Sequence, residues 1–490
     1  MKYKDKILFE KEYGLFKFKV PTKNERDEAL GLAGETIMLK KLLSNGISAF
    51  YFPIKPPDNE NSKNNSWLLM HKEFGQTYTE FMRTKAYYQI THSADTIFLV
   101  NLLFYSEEDR ENEEKYQKEK LTNPETTQPI PKYVFQKQND DLFNELLIKF
   151  CEAYFNDMKI KFESLEIPIE KLIIRKNKET DEVMGIQSDS LLDCINLKEK
   201  NQYCSIYFTS ISLFHNVSLY KSGKVNKYQY YPSNFLNNDS FYEMTNVKNR
   251  ISLISFSEFT PKEPKKSEES PNTISNNSPS KEEKDKEYLR KAISIKSYIK
   301  IILRNISLMF GVSNCIYYQC LLNGNGSLEE FHSHPFEICP VCLRKIYRII
   351  LKAYDNVDDG KNIRSKMQLY NRFQKLYELL MSIKEISDKD KNQKKNILLD
   401  INSVVNKEAE KLDKKNIFSN VNSFIQEKIE KPEVTEKKID SEIEKREKEE
   451  KENEKKEIYL NLTKVFDFEI KWYEKRLNHL KSLGSFEDNK

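Results

Sequence analysis

Four cysteines in the second half of the chain carry the clearest chemical signal in the sequence. Cys315, Cys320, Cys339 and Cys342 are spaced C-x4-C-x18-C-x2-C, and the last pair lies in the stretch ICPVC. Zn²⁺ favours four thiolate ligands in a tetrahedron, and a chain usually supplies them as two close pairs separated by a loop. The alternative is four buried thiols that never bind a metal. The spacing and the proline inside the last pair favour one structural zinc ion.

Two histidines, His332 and His334, lie in the loop between the cysteine pairs, in EFHSHPF. Imidazole nitrogen is a zinc ligand, so these residues are candidates for a second metal site. The simpler interpretation is a pair of exposed loop histidines, and the sequence favours it.

Composition and charge narrow the class of protein. The chain has 490 residues, enough for two to four domains, and its 80 lysines and arginines against 76 acidic residues leave a net charge of only +4. A nucleic-acid binder normally has a basic face, so no nucleic-acid partner is predicted. No signal peptide and no run of about 18 apolar residues is present, which predicts a cytoplasmic or nuclear protein without a membrane partner. In such a reducing compartment the seven cysteines stay free of disulfides.

The region around the cysteines resembles the archaemetzincins, a family of zinc metallopeptidases. The family motifs HExxHxxGxxHC, C-x-M-N, L-E-E and C-P-x-C-L-R-K are matched by RNISLMFGVSNC, CLLN, SLEE and CPVCLRK. Besides the cysteines, the residues in register are Gly311, Asn323, Leu328, Glu329, Glu330 and Pro335. Upstream, HKEFGQTYTEF is similar to the family's GQT segment, and WYEKRLNHL is similar to its closing helix. The resemblance covers most of residues 65–350 and a C-terminal piece.

The resemblance implies a catalytic zinc held by three histidines, a glutamate as general base, and a second, structural zinc held by the four cysteines. In this chain the four catalytic positions are occupied by Arg304, Asn305, Leu308 and Asn314. Arg304 stands at the first histidine and Asn305 at the glutamate. Leu308 and Asn314 stand at the second and third histidines. The motif therefore implies no catalytic residue and no catalytic zinc.

The chemistry of these side chains supports that interpretation. Leucine has no lone pair, the asparagine amide offers only a neutral carbonyl, and an arginine cation repels Zn²⁺. Asn305 cannot accept a proton from water near neutral pH. The leading hypothesis is a non-catalytic archaemetzincin-like protein that binds a peptide or protein partner and keeps one structural zinc. The alternatives are an active zinc metallopeptidase with unconventional ligands and an assembly protein that acts through the Lys/Glu-rich residues 436–457.

Alternating helix and strand patterns predict the fold that positions these residues. Strand-like runs are DTIFLVNLLFY, KIKFESL, KLIIRK, YCSIYFTS and RISLISFSEF, and helical spacing marks DDLFNELLIKFCEAYFNDM and SDSLLDCINLKEK. A long helix is predicted from near Tyr288 to about Gly311. The fold class is therefore α/β, with a metzincin-like mixed sheet, packed helices, the cysteine cluster and a helical C-terminal region.

Changes in composition and hydrophobic pattern along the chain predict its domain organisation. The ranges are 1–130 as an N-terminal extension, 131–350 as the metzincin-like domain, 351–385 as a helical region, 386–457 as a charged insert and 458–490 as a C-terminal helix. Within the second range lie a Pro/Ser/Lys/Glu-rich insert at 260–287, predicted to be disordered, and the zinc cluster at 315–342. The Lys/Glu-rich run at 436–457 is predicted to be a solvated helix or disordered rather than a coiled coil, because sustained apolar a and d positions are missing.

Overall fold

The computed structural model of the chain describes two compact units. The residues described are 18–33, 47–55, 67–70, 73–84, 90, 94–107, 110–111, 115, 141–177, 183–195, 201–214, 231–232, 240–259, 280–352, 369–389 and 436–482. The first unit comprises Met1–Pro264, Ser294–Tyr377 and Lys471–Lys490, and the second comprises Lys265–Ile293 and Glu378–Ile470.

Ten strands form two sheets in the described part of the first unit. They are β1 Thr96–Tyr105, β2 Lys159–Pro168, β3 Ile174–Lys176, β4 Val183–Gln187, β5 Gln202–Thr209, β6 Leu213–Phe214, β7 Tyr231–Pro232, β8 Ser240–Phe241, β9 Glu243–Asn246 and β10 Ile251–Ser255. The larger sheet has the order β2-β1-β5-β10-β9-β7, and the smaller one has the order β3-β4-β6-β8. The predicted mixed α/β class is confirmed.

The larger sheet is parallel from β2 to β10 and antiparallel from β10 to β7. Strand β1 pairs in parallel with β2 and β5, and β5 pairs in parallel with β10. Strand β9 then runs antiparallel to β10, with Glu243 opposite Ile254. Because β1 is covered on both faces, it is a nearly continuous apolar run, as central parallel strands usually are.

The position of β1 corrects the domain boundary predicted at residue 130. That boundary would separate β1, at 96–105, from the two strands that flank it in the sheet. Parallel strands need long connections, so a strand and its neighbours can lie far apart in the sequence. The range 1–130 is therefore not a separate extension, because it supplies the strand that lies between β2 and β5.

Helices make up much of the rest of the described residues and continue into the C-terminal region. They are α1 Lys23–Leu30, α2 Ile47–Phe50, α3 Trp67–Met70, α4 Tyr78–Thr84, α5 Asp141–Tyr154, α6 Ser188–Cys194, α7 Lys281–Met309, α8 Leu328–Ser333, α9 Pro340–Lys352, α10 at 369–389, α11 Glu436–Val465 and α12 Asp467–Ser482. Among the described residues, no helix is both long and apolar enough to cross a bilayer.

Helix α7 begins seven residues before its predicted start because its N-terminus is capped. The Ser280 backbone N–H donates to the Glu283 carboxylate at 2.7 Å, and the Glu283 N–H donates to the Ser280 hydroxyl at 3.3 Å. This reciprocal arrangement is a capping box. The prediction of disorder at 260–287 is therefore wrong for residues 281–287, which are helical. Residues 260–279 lie outside the described residues. At the other end, Gly311 has φ 78°, which ends the helical path.

The charged residues at 436–457 form the first part of helix α11, one of the two structures that the sequence predicted for them. Within the second unit, the Lys291 ammonium lies 2.6 Å from the Glu454 carboxylate. The rest of the predicted charged insert, 390–435, lies outside the described residues. That α11 mediates assembly stays a prediction.

A buried ion pair in the first unit joins the C-terminal helices to the region of the cysteines. The Arg372 guanidinium donates to both carboxylate oxygens of Glu337, at 2.8 and 3.0 Å. The Tyr473 hydroxyl donates to the same carboxylate, and Arg372 Nε donates to the Tyr154 carbonyl at 3.1 Å. Bidentate pairs of this kind fix geometry as well as charge. Residue 337 is thereby fixed two positions before Cys339.

Candidate metal centre and the helix beside it

The four predicted cysteine ligands come together in the structure. Their sulfur atoms all lie within 4.8 Å of one another, and Cys315 Sγ is 3.5 Å from Cys339 Sγ. All four residues are buried, and none forms a disulfide. A Zn–S distance of about 2.3 Å in a tetrahedron places the sulfurs about 3.8 Å apart, so the cluster has the dimensions of a zinc site.

Asn323 holds the loop that carries the first cysteine pair. Its side-chain oxygen accepts from the Cys320 N–H at 2.7 Å, and its amide nitrogen donates to the carbonyls of Cys315 and Tyr318 at 2.7 and 2.9 Å. One buried amide therefore closes the turn between the two ligands. Supports of this kind orient metal ligands without binding the metal.

Backbone N–H groups and a helix N-terminus favour the thiolate form of the cluster. Cys320 Sγ accepts from the N–H groups of Leu322 and Cys339, at 3.4 and 3.2 Å. Helix α9 begins at Pro340, so Cys342 lies in its first turn. Proline suits the first position of a helix, because the N–H that it lacks would have no partner there. The positive end of the helix dipole stabilises the negative charge of a nearby thiolate.

Burial opposes that charge while no cation is present. It raises the pKa of the Cys320 and Cys339 thiols well above their ordinary value. A divalent cation among the four sulfurs would replace the thiol protons and neutralise the thiolates. The donor set and its surroundings therefore fit zinc.

Arg304, the residue at the first histidine position of the motif, is buried in helix α7. Its side chain is 1% exposed, and its Nε lies 3.5 Å from Oε1 of Glu243, which is fully buried on β9. One terminal nitrogen donates to the Leu321 carbonyl at 3.4 Å, and the other donates to Asn314 Oδ1 at 3.1 Å. The residues at the first and third histidine positions are therefore hydrogen-bonded to each other.

Asn305, at the glutamate position, completes the same network. Its amide nitrogen donates to Glu243 Oε2 at 2.8 Å and to the Ile301 carbonyl at 2.9 Å. Its side-chain oxygen accepts from the hydroxyls of Ser252, at 2.9 Å, and Thr245. Arg304 and Asn305 thus each hold one oxygen of the Glu243 carboxylate. Leu308 is half-buried one turn further along α7 and adds no polar group.

Helix α3 and the segment after it lie against the end of this network. Asn314 Nδ2 donates to Glu73 Oε1 at 2.8 Å, and the Trp67 indole N–H donates to the same oxygen at 2.6 Å. The Trp67 ring packs against Gly324, where a Cβ would lie 2.1 Å from a ring carbon. Gln76 of the GQT stretch donates to the Gly311 carbonyl at 3.2 Å. This segment therefore contacts both the glycine turn and the loop between the cysteine pairs.

Glu243, Glu73 and Trp67 were not singled out in the sequence. Glu243 is an isolated acid in FYEMTN, a stretch without a recognisable motif. Only the antiparallel pairing of β9 with β10 brings it opposite α7. The similarity of residues 71–81 to the family's upstream segment was a signal that this region contacts the site, but it did not indicate the partners.

The prediction of two exposed loop histidines is only partly correct, because exposed His332 lies in helix α8 and half-buried His334 follows the end of that helix. Neither histidine is part of a metal-ligand group in the described part of the chain. The four cysteines are the one set of three or more His, Cys, Asp or Glu side chains there that is close enough to hold an ion. His332 Nδ1 lies 3.4 Å from the Ser297 hydroxyl. The Lys300 ammonium donates to the Phe331 carbonyl at 2.6 Å and also to the His334 carbonyl. A buried cation therefore lies beside the two histidines.

Comparisons with known proteins place the chain near the archaemetzincins. No protein-family model matches it. Archaemetzincin-2 of Macaca fascicularis is 26% identical over 224 residues, which are 42% of this chain and 55% of that protein. Human archaemetzincin-2 is 25% identical over 222 residues, with the same two shares of 42% and 55%, and human archaemetzincin-1 is 30% identical over 59 residues, 12% of each chain. The chain spans about half the length of the archaemetzincin-2 proteins it matches.

A solved archaemetzincin from Methanopyrus kandleri matches 53% of this chain and 97% of its own, at 12% identity and a TM-score of 0.29. The curated relatives confirm the resemblance to the archaemetzincins. The correspondence of Arg304, Asn305, Leu308 and Asn314 to the four catalytic positions stays a prediction from the motif.

Loss of one cysteine ligand is expected to remove the metal and destabilise the fold. A Cys339→Ser variant should purify without zinc and lose about 4 kcal/mol or more of stability, because metal binding contributes directly to folding. Elemental analysis and thermal unfolding with and without chelator measure both effects. Cys194→Ser, outside the cluster, is the control and should keep its zinc. Equal zinc content in the two variants would contradict a metal role for the cluster.

Removal of Arg304 is expected to destabilise the protein through the carboxylate that it leaves behind. Arg304→Met should cost about 3–5 kcal/mol in urea unfolding, because Glu243 would remain buried without its cation. Adding Glu243→Gln to that variant should recover part of the loss. Lys149→Met, which breaks an exposed pair with Glu145, is the control and should change stability by less than about 1 kcal/mol. A loss below about 1 kcal/mol for Arg304→Met would contradict the burial of this pair.

Acid should destabilise the protein through His334. Burial lowers the pKa of this imidazole well below its ordinary value of 6.5, and the Lys300 and Arg304 cations lower it further. The unfolded chain therefore binds a proton below pH 6.5 that the folded chain excludes. Stability should fall with decreasing pH by up to about 1.4 kcal/mol per pH unit. Chemical unfolding of wild type and His334→Gln at pH 7 and 5.5 measures the difference, and equal acid sensitivity would contradict it.

Proposed function

We propose that this relative of the archaemetzincins is a non-catalytic protein that keeps one structural zinc ion and uses the retained fold to bind a peptide or protein partner. The observation that carries the proposal is the hydrogen bond from Arg304 to Asn314 beside the buried Arg304–Glu243 ion pair. In the motif these two positions belong to metal ligands. Here their side chains bind each other and a carboxylate.

The charge at this position supports the proposal. A guanidinium buried against Glu243 supplies positive charge where the resemblance implies a metal, and it has no lone pair to offer one. A Zn²⁺ ion placed between Arg304 and Asn314 would be repelled by the cation and would compete with it for the Asn314 oxygen. Re-forming a metal site would first require breaking the buried ion pair.

The hydrogen bonding of Asn305 supports the absence of a general base. A neutral amide cannot remove a proton from water, and both ends of this amide are already bound. Its nitrogen donates to Glu243 and Ile301, and its oxygen accepts from Ser252 and Thr245. Asn305 thus packs as a structural residue between α7 and strands β9 and β10.

The cysteine cluster has a structural role in this proposal. The loop from Cys315 to Asn323 supplies two of the four candidate metal ligands and the Leu321 carbonyl that accepts from Arg304. Zinc bound by the four sulfurs would fix this loop and, through it, the end of α7. The ion would thus stabilise the surface presented to a partner and would take no part in a reaction.

The alternative peptidase with unconventional ligands would need His332 or His334 to bind a second ion. The Lys300 ammonium lies beside their loop and donates to the His334 carbonyl, which disfavours a divalent cation there. No contact of the described residues favours this alternative over the non-catalytic one.

Metal content and activity of one preparation test the proposal. Purified full-length protein should contain about one zinc per chain and should not cleave a denatured casein or peptide-library substrate above background. The variant His332→Ala/His334→Ala should keep the same zinc content. A second zinc equivalent that a chelator removes together with peptidase activity would overturn the proposal, and dependence of both on the two histidines would establish the alternative.

A further inference from the structure

The outer edge of β2 is a long, regular sheet edge. All ten residues of β2 pair with β1, from Lys159 opposite Thr96 to Pro168 opposite Tyr105, without a shift in register. Within the described ranges, no strand pairs with the other side of β2, which ends the larger sheet. Such an edge presents backbone N–H and C=O groups that can pair with another strand.

Strand β2 lacks most of the devices by which proteins block such an edge. Natural edge strands are often very short, bulged or interrupted by proline. Strand β2 is ten residues long, its ladder with β1 has no bulge, and its one proline, Pro168, is its last residue. Phe162 is half-buried on the strand, where its ring lies 6.1 Å from that of Phe208. What remains to control pairing at this edge is the charge of its side chains.

The charges of β2 are arranged so that the strand is complementary to itself. Its sequence KIKFESLEIP has Lys159 and Lys161 in the first half and Glu163 and Glu166 in the second. Two copies aligned antiparallel, with Phe162 opposite Phe162 at the two-fold axis, place each Lys161 opposite the Glu163 of the other copy. Parallel pairing in register would instead place lysine opposite lysine. Opposite charges facing each other stabilise a strand pair, and like charges destabilise it.

We propose that two copies of this chain form a homodimer by antiparallel pairing of their β2 edges. The pairing joins the larger sheets of the two copies into one continuous sheet. A two-fold axis at Phe162 produces the two Lys161–Glu163 contacts at once, as an isologous interface requires. Within one copy the Lys161 ammonium pairs with the Glu163 carboxylate, and the two side chains are 53% and 37% exposed. In the dimer the pairs of the two copies would lie side by side across the two-fold axis, with opposite charges facing each other.

Charge reversal tests this dimer with its own controls. Lys161→Glu and Glu163→Lys should each weaken dimerisation at least about tenfold, because each variant faces two like-charge pairs. The double variant Lys161→Glu/Glu163→Lys should restore the wild-type dissociation constant. Mixing the two single variants should give a one-to-one heterodimer, since each complements the other. Analytical ultracentrifugation measures all four samples, and circular dichroism checks that each is folded.

A second measurement uses the wild-type chain and does not depend on the folding of any variant. A zero-length carbodiimide reagent should join Lys161 to Glu163 between copies in a mixture of ¹⁴N- and ¹⁵N-labelled protein. Mass spectrometry should then find the mixed-isotope peptide pair. A monomeric wild type at about 100 µM, a range in which even weak dimers form, would overturn the proposal. So would single variants that dimerise like wild type, or a double variant that does not recover. If the wild type is a monomer, the β2 edge would instead be available to a strand of a different protein.

Discussion

The fully buried carboxylate of Glu243 is the constraint on which this part of the fold depends. A carboxylate without water is costly unless a cation and hydrogen-bond donors hold it. Arg304 and Asn305 meet that requirement from adjacent positions of one helix, each at a different oxygen. The pair therefore fixes α7 against β9. The same guanidinium reaches the Asn314 turn and the cysteine loop, so one buried charge organises three segments.

The ion pair and the cysteine cluster are parts of one structure. Residues 320–323 belong to both, because Cys320 is a candidate ligand, Leu321 accepts from Arg304 and Asn323 closes the loop. The Leu321 N–H also donates to the Glu337 carbonyl at 3.1 Å, and the Glu337 side chain holds Arg372 and Tyr473. A change in the conformation of the cysteine loop would therefore alter the contacts of α7 and of the C-terminal helices. This coupling gives a physical reason for keeping the four cysteines in a chain without the catalytic motif.

The two proposals place function on different surfaces of the first unit. The proposed binding role needs a stable core around α7, and the buried network supplies one. Self-association at β2 would use backbone groups at the opposite end of the strand order from β9 and β7. Dimerisation would thus leave the region of Glu243 and Trp67 free for a partner of its own.

The sequence by itself predicted the candidate metal centre and the mixed α/β class, because these depend on residue type and short spacing. The sequence alone is enough to recognise the spacing of Cys315, Cys320, Cys339 and Cys342. It is also enough to recognise the arginine at a position where the motif has histidine. The tertiary structure alone decided which side chains contact Arg304 and Asn314. Glu243 lies 61 positions from Arg304 and Glu73 lies 241 from Asn314, and no periodic pattern links them. Parallel pairing also placed β1 between β2 and β5, across the boundary predicted at 130, since such strands meet through connections that local sequence does not encode.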